Sequence, residues 1–310
     1  MKTVIITGGT GLIGKQLTAL LIKKGYNVII FSHSRQDSNM QSNPSIAHWN
    51  IHTGEIDTTA IAKADYIIHL TGAGVADRRW TKARKKEIVE SRTKSSALLV
   101  KALSETDNHI TAVVASSAIG CYGPDSYTSR KNGFTEDELS SNDFLGETCR
   151  LWEESIEPVR MLGKRLIKLR TGIVLSNEGG ALAEFKKPLK AGIAAILGSG
   201  SQVVSWIHIE DICRMYLAAI QNEKMNGVYN AVAPAPVTNK ELTLALAKKM
   251  RGNAYLPIHI PAFALQLTLG EMSVEVLKST TVNADKILQS GFSFSYSTIE
   301  AALVQLIQRK

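Results

Sequence analysis

Lys2–Thr7, KTVIIT, is an apolar run of strand length that passes directly into TGGTGLIG, Thr7–Gly14. Glycines fall at Gly8, Gly11 and Gly14, with Gly9 in addition. The following KQLTALLIKKG repeats Leu17, Leu20 and Leu21 at helical spacing, with Ile13 one turn earlier. A strand therefore makes a glycine turn into a helix. A side chain in that turn would block the close approach of a pyrophosphate, and the helix N-terminus offers unpaired N–H groups to phosphate oxygens. A glycine repeat alone is a weak signal, but a strand before it and a helix after it make it specific. The expectation is an α/β chain with a Rossmann-type, mostly parallel sheet and helices on both faces. Its dinucleotide would lie on Gly8, Thr10, Gly11, Leu12, Ile13 and Gly14.

At 310 residues the chain has room for such a domain and a smaller one, and 44% apolar residues suffice for a core. Three cysteines without a close-spaced pair argue against a disulfide framework or a metal site. The strand at the very start leaves no room for a signal peptide, and no apolar run of about 18 residues is present, so neither export nor a membrane span is expected. The reading is a cytoplasmic or organelle-matrix protein. A net charge of +8 would suit nucleic acid, but the cations are scattered and no recognition motif accompanies them. Attraction of anionic cofactors explains the charge as well. A small-molecule partner is expected, with homodimer formation left open.

The second strand, Val28–Phe31, decides between cofactors. Folds selective for NAD place an acid at its end to hold the ribose 2′-hydroxyl. Here the strand runs into Ser32, His33, Ser34 and Arg35, and the first acid is Asp37. His33 and Arg35 suit a 2′-phosphate, so NADP is favoured over NAD. A solvated loop without selectivity is the competing reading. Asp65–Leu70 is a further strand ending in Thr71, Gly72, Ala73 and Gly74. Small residues there let the backbone approach ribose and phosphate, which adds Leu70, Thr71, Gly72 and Ala73 to the cofactor set. Arg78, Arg79 and Trp80 follow, before a charged helix from Thr81 to about Leu103 that carries Arg92 behind the nicotinamide. These arginines suit an anionic substrate or the cofactor's own phosphates. Ile110–Ala115 ends in Ser116 and Ser117, and Leu166–Arg170 ends in Thr171, all at carboxyl ends of central strands.

Together these residues resemble the extended short-chain dehydrogenase/reductases of the sugar-nucleotide epimerase kind, over the whole chain. TGGTGLIG, SSAIGCYGP (Ser116–Pro124) and LRTGIVL (Leu169–Leu175) match in place. More narrowly, the chain looks like a poorly characterised "epimerase family" group. It shares RRW at Arg78–Trp80, ESR at Glu90–Arg92, FLGETCRLWE at Phe144–Glu153 and GGAL at Gly179–Leu182. SWIHIEDI at Ser205–Ile212, GVYNAVAPAPVTN at Gly227–Asn239 and LGEMS at Leu269–Ser273 match too.

The resemblance implies a Tyr-x-x-x-Lys pair on the helix after the serine strand, where tyrosine moves a proton and lysine lowers its pKa. No register of Phe144–Glu153 supplies one. The chain's Tyr127-x-x-x-Lys131 falls between Pro124 and Gly133, in an expected loop. Ala118 stands where the sugar epimerases carry a catalytic serine or threonine, with Ser117 one residue away. Ser117, Tyr122, Cys149 and Glu153 are the candidate catalytic groups. Burial of Cys149 as a small hydrophobe with Glu153 pairing locally is the rival reading. His208 is expected to pack the two domains together.

The cofactor domain is read as 1–175 with a returning segment near 203–232, and the smaller substrate or lid domain as 176–202 and 233–310. Capping-box spacing opens helices at Thr238–Glu241 and Ser297–Glu300. The function expected is an NADP(H)-dependent oxidoreductase or epimerase with a non-standard proton donor. The rival is a cofactor-binding regulator that has lost catalysis.

Overall fold

A computed structural model describes residues 1–33 and 42–307. The cofactor half runs β1 (Thr3–Thr7), α1 (Leu12–Lys23), β2 (Asn27–Ser32), β3 (Ser45–Asn50), β4 (Glu55–Ile56), α2 (Thr58–Lys63), β5 (Tyr66–His69), α3 (Lys82–Glu105) and β6 (Ala112–Ala118). Next come α4 (Tyr127–Asn132), α5 (Phe144–Ile156), β7 (Arg165–Thr171), β8 (Ile173–Leu175), α6 (Ala181–Lys190), β9 (Ile193–Leu197), β10 (Val203–Val204), β11 (Trp206–His208), α7 (Ile209–Gln221) and β12 (Gly227–Ala231). The chain closes with β13 (Val237–Thr238), α8 (Asn239–Arg251), β14 (Leu256–Ile260), α9 (Ala262–Leu269), α10 (Ser273–Leu277), α11 (Asp285–Gln289) and α12 (Ile299–Leu306).

The main sheet has the order β12-β7-β6-β5-β1-β2-β3-β4 and is parallel except for β3–β4. The strand order reverses at β1, which has β2 on one side and β5 on the other. That reversal opens a crevice at the strands' carboxyl ends, where open α/β sheets bind ligands. The doubly covered sheet follows from period-two alternation on β1. Val4 and Ile6 pack with Leu17 and Leu21 of α1 and with Ile212, Met215 and Tyr216 of α7. Ile5 faces the other way, toward Leu99 and Leu103 of α3. A third apolar cluster joins Leu182 and Leu189 of α6, Trp206, Leu242 and Leu246 of α8, and Leu303 and Leu306 of α12. Among the described residues, no helix is long and apolar enough to cross a membrane.

Local sequence explains most boundaries. Thr238 and Glu241 form the expected capping box at α8. At the last helix the cap falls one residue later than expected: the Thr298 hydroxyl, not Ser297, accepts from the Ala301 N–H. The segment holding Tyr127 and Lys131 is the helix α4 and not a loop. Ser126 and Ser129 cap each other's backbone, a hydroxyl version of the capping box, and Gly133 ends the helix at φ +75°. Tyr127 is nevertheless 90% exposed, so its ring does not reach the sheet.

The C-terminal segment crosses back and fastens the loop after β6. Asp125 accepts from the Ser279 hydroxyl, the Thr281 N–H and the Thr281 hydroxyl at 2.7–2.8 Å, while its own N–H donates to Ser279 O. Phe134 N–H donates to Thr281 O, and Asn283 N–H donates to Phe134 O. Replacing Asp125 with alanine removes three acceptor contacts at once. The expected cost is about 2 kcal/mol of unfolding free energy in urea titrations, and the loop around Phe134 should exchange its amides faster.

Candidate functional site

The glycine turn is built for close approach. Gly8 takes φ +70°, and a Cβ there would lie 3.0–3.2 Å from the Leu70 and Thr71 backbone. At Gly14 a Cβ would meet Gly8 O at 2.3 Å, so the start of α1 rests directly on the turn. Gly11 N-caps α1 without a side-chain cap, and no acid occupies its first turn. Thr10 and Gly11 are exposed, with Leu12 and Ile13 partly so. The N–H groups of this first turn therefore face outward, with the helix dipole favouring an anion. Leu12 lies under Gly180, where a Cβ would sit 3.2 Å from its Cδ2, so the loop leading into α6 borders the same crevice.

Thr7 and His69 lock the ends of β1 and β5 together. Thr7 Oγ1 accepts from the Leu70 N–H at 3.2 Å and gives its own proton to His69 Nδ1 at 2.7 Å. His69 Nε2 then donates to Ser96 Oγ at 3.2 Å. Burial pushes His69 down to about 4, so it is a neutral structural group.

Beyond β5, the loop of Thr71, Gly72, Ala73 and Gly74 is pinned from below by α3. Ser91 Oγ accepts from Ala73 N–H, Arg92 donates to Ala73 O and Ile88 O, and Arg84 donates to Gly74 O. Arg92 lies over the Trp152 ring, is 9% exposed, and is lowered by burial to about 10. Its guanidinium packs against Gly72, where a Cβ would meet Cζ at 3.0 Å. It supports the loop from beneath. Thr71 Oγ1 is buried here without a hydrogen-bond partner.

On the adenosine side, His33 is exposed beside Trp49, with ring centroids 6.4 Å apart. Arg35 lies outside the described residues. On the other side, Ser116 Oγ bonds Tyr216 OH at 2.7 Å, and the Thr171 hydroxyl donates to Leu169 O.

The four candidate catalytic groups converge, but in the interior. Ser117 Oγ donates to Glu153 Oε1 at 2.6 Å. Arg170 grips both Glu153 oxygens, at 2.9 and 3.1 Å, and donates to Tyr122 OH at 3.0 Å. Tyr122 OH donates to Asn230 Oδ1 at 2.7 Å, and Asn230 Nδ2 reaches Phe134 O and Asn283 O. Burial alone would raise Glu153, but the bonds and charge of Arg170, with smaller help from Ser117 and Lys168, hold it below the usual carboxylate range. Burial raises Tyr122, and it pushes the Cys149 thiol up to about 12. Cys149 Sγ points at Ala118 O, 3.7 Å away.

The α5 face that meets the end of β6 is apolar. Leu145 packs on Gly120, where a Cβ would sit 3.2 Å from Leu145 Cδ1, and Cys149 follows four residues later. These are the positions at which a tyrosine and lysine four apart would face that strand end. His208 is fully buried: its Nδ1 accepts from Glu210 N–H as the N-cap of α7, and its Nε2 bonds Gln305.

A family model described as "NAD dependent epimerase/dehydratase family" matches residues 4–231. The chain belongs to the NAD dependent epimerase/dehydratase family. A second model, a domain of unknown function (DUF1731), matches residues 260–306. Curated relatives include epimerase family protein YfhF of Bacillus subtilis, 33% identical over 98% of this chain and 97% of its own length. An epimerase family protein of Staphylococcus aureus is 34% identical, with full coverage of both chains. Among solved structures, human epimerase family protein SDR39U1, crystallised with NADPH, superposes with a TM-score of 0.86 at 26% identity, covering 99% of this chain and 100% of that one. The nucleoside-diphosphate sugar epimerase of Corynebacterium glutamicum gives 0.77 at 30% identity, covering 99% of this chain and 58% of the other.

Arg170, Asn230 and Arg84 belong to this epimerase-family site and were missed as site residues from sequence. The available signal was Lys168 and Arg170, two apart on one face of an otherwise apolar strand, which demands buried carboxylates opposite. Glu153→Ala leaves Arg170 buried and unpaired. It should cost about 3–5 kcal/mol in chemical denaturation, more than Ser117→Ala. His69 gives a pH signature of definite sign. Its folded pKa lies below the unfolded 6.5, so its stabilising effect is present above 6.5 and lost as pH falls toward 4. The loss should be on the order of 3 kcal/mol, and His69→Gln should flatten the stability–pH curve in that window.

Proposed function

We propose that this chain binds NADP(H) in the crevice at the end of β1 and acts as an oxidoreductase or epimerase on a small molecule. The carrying observation is the cradle: Gly8 and Gly14 admit no Cβ, and the uncapped first turn of α1 opens beside them. The partnerless Thr71 hydroxyl adds a buried polar atom beside the turn that a ribose or phosphate would satisfy. These features fit a dinucleotide. The human relative solved with NADPH supports NADP, as do His33 and the sequence position of Arg35.

When bound, a nicotinamide supplies hydride transfer. The chain's own part is to hold the phosphates on the α1 first turn, to fix the Thr71–Gly74 backbone through Ser91 and Arg92, and to set the end of β6 through the Ser117–Glu153–Arg170 network. The hydroxyl nearest that end is Ser116, already bonded to Tyr216.

A second reading is favoured by one observation. Leu145 and Cys149 occupy the helix face toward β6, and the buried Cys149 thiol stays protonated at neutral pH. Proton transfer is typically worth about 10²–10⁴ in rate, so a family member without a donor there would act as a cofactor-dependent regulator. Turnover of NADPH against a panel of aldehydes, ketones, quinones and nucleotide-sugars supports the enzyme. A partner captured only in the presence of NADPH supports the regulator.

Titration of nicotinamide fluorescence tests the shared premise. NADPH should bind more tightly than NADH. Gly14→Val should abolish both, because its side chain would strike Gly8 O. Arg35→Ala should weaken NADPH far more than NADH. Absence of binding by either nucleotide overturns the reading.

A further inference from the structure

The N-terminus of α3 carries the wrong charge for a helix start. This helix spans 24 residues with no acid in its first turn. Lys82, Arg84, Lys85 and Lys86 stand there, preceded by Arg78 and Arg79. Cations at the positive end of a long helix repel its dipole, where anions are stabilised. Some are neutralised locally: Arg84 by Glu87 and Asp77, Lys85 by Glu271, Lys86 by Glu90. Arg78, Arg79 and Lys82 are exposed and have no carboxylate within ion-pair distance among the described residues. Local charge that contradicts helix physics without internal compensation is a mark of a functional site.

The same residues enclose a space. A hollow of about 390 Å³ is lined by Arg78, Arg79, Thr81, Ala83, Arg84 and Glu87. Three guanidiniums face one carboxylate, and that carboxylate is already taken by Arg84 Nη1 at 2.8 Å. Arg84 is 8% exposed, anchored at Gly74 O, and keeps a buried Nε without a partner. Its charge is therefore held in place at the base of the hollow.

Position assigns the hollow to the substrate half. It follows β5, whereas the adenosine side of the crevice lies at the end of β2, across β1. Trp80, next to Arg79, packs edge-on against Phe144 at the first turn of α5, with centroids 4.9 Å apart. The C-terminal domain meets the same edge. Gly270, at φ +63°, would place a Cβ 2.9 Å from Arg79 Nη2, and Glu271 pairs with Lys85. An anion seated on Arg78 and Arg79 would thus lie between the cofactor loop and the segment that follows α9.

We infer that this hollow is an anion site for a phosphoryl group of the substrate, so that the substrate is a phosphorylated small molecule. The inference rests on the cofactor reading above and deepens it. Phosphoryl oxygens could also come from the dinucleotide, so the test saturates the protein with NADPH before adding inorganic pyrophosphate as probe. Calorimetry should find saturable pyrophosphate binding to the NADPH-loaded protein. The double variant Arg78→Ala/Arg79→Ala, whose side chains are exposed, should weaken it by at least about tenfold, as expected for lost charge-assisted hydrogen bonds. NADPH fluorescence in the same samples should be unchanged. A control, Lys248→Ala/Lys249→Ala on α8, should leave pyrophosphate binding intact.

Three results overturn the inference: no pyrophosphate binding to the loaded wild type, equal weakening by the α8 control, or loss of NADPH affinity in the arginine variant. The last would assign the arginines to the cofactor. Failure of the wild type to bind NADPH defeats the cofactor reading instead. The titration is then run on the free protein, where the same wild-type, arginine-variant and control comparison decides the hollow by itself.

Discussion

The buried Arg170–Glu153 pair is the interaction on which the site's architecture depends. It joins the strand β7 to the helix α5, and through Ser117 it reaches the neighbouring strand β6. A charge pair away from water costs several kcal/mol in desolvation and is retained only when every remaining donor and acceptor is occupied. Here they are: Tyr122 and Asn230 complete the Arg170 side, and Lys168 sits 3.7 Å from the second Glu153 oxygen. The arrangement is directional where an apolar contact would not be. It sets the distance and rotation of α5 against the sheet, and so fixes which of its side chains border the crevice.

That geometry separates two tasks that one surface usually shares. Phosphate anchoring falls to backbone N–H groups at a helix start, which need no ionisable side chain. The strand end where hydride chemistry would occur is framed by Leu145, Cys149, Ser116 and Gly120, a small and mostly apolar set. The polar residues behind it are committed to one another. Charge is instead displaced outward to the mouth of the crevice, at Arg78 and Arg79.

The glycine turn and the parallel sheet were legible in sequence because both rest on local rules: a period of two in the strand, a period near 3.6 in the helix, and glycine where nothing larger fits. The capping box of α8 was legible for the same reason. Side-chain direction was not. Arg92 reads as a cofactor ligand from its position in the chain, yet its guanidinium turns under the Thr71–Gly74 loop because free carbonyls and the Trp152 face lie there. Glu153 and Tyr122 read as exposed chemistry, yet Arg170 and Asn230 draw them inward. Such choices depend on partners supplied by other elements, 17 and 108 residues away. The helix α4 was missed because serine pairs cap less recognisably than serine with glutamate.

The return of residues 279–283 to Asp125 and Phe134 has a consequence for synthesis. These contacts span about 150 positions of chain, for example 156 between Asp125 and Thr281. On the ribosome, β1 through β7 can assemble and offer the glycine turn while this segment is still unmade. The loop after β6 has its principal fasteners only afterwards. A nascent chain would therefore acquire its phosphate-anchoring end first and the wall of its substrate end last, so that nothing reactive is enclosed before translation is nearly complete.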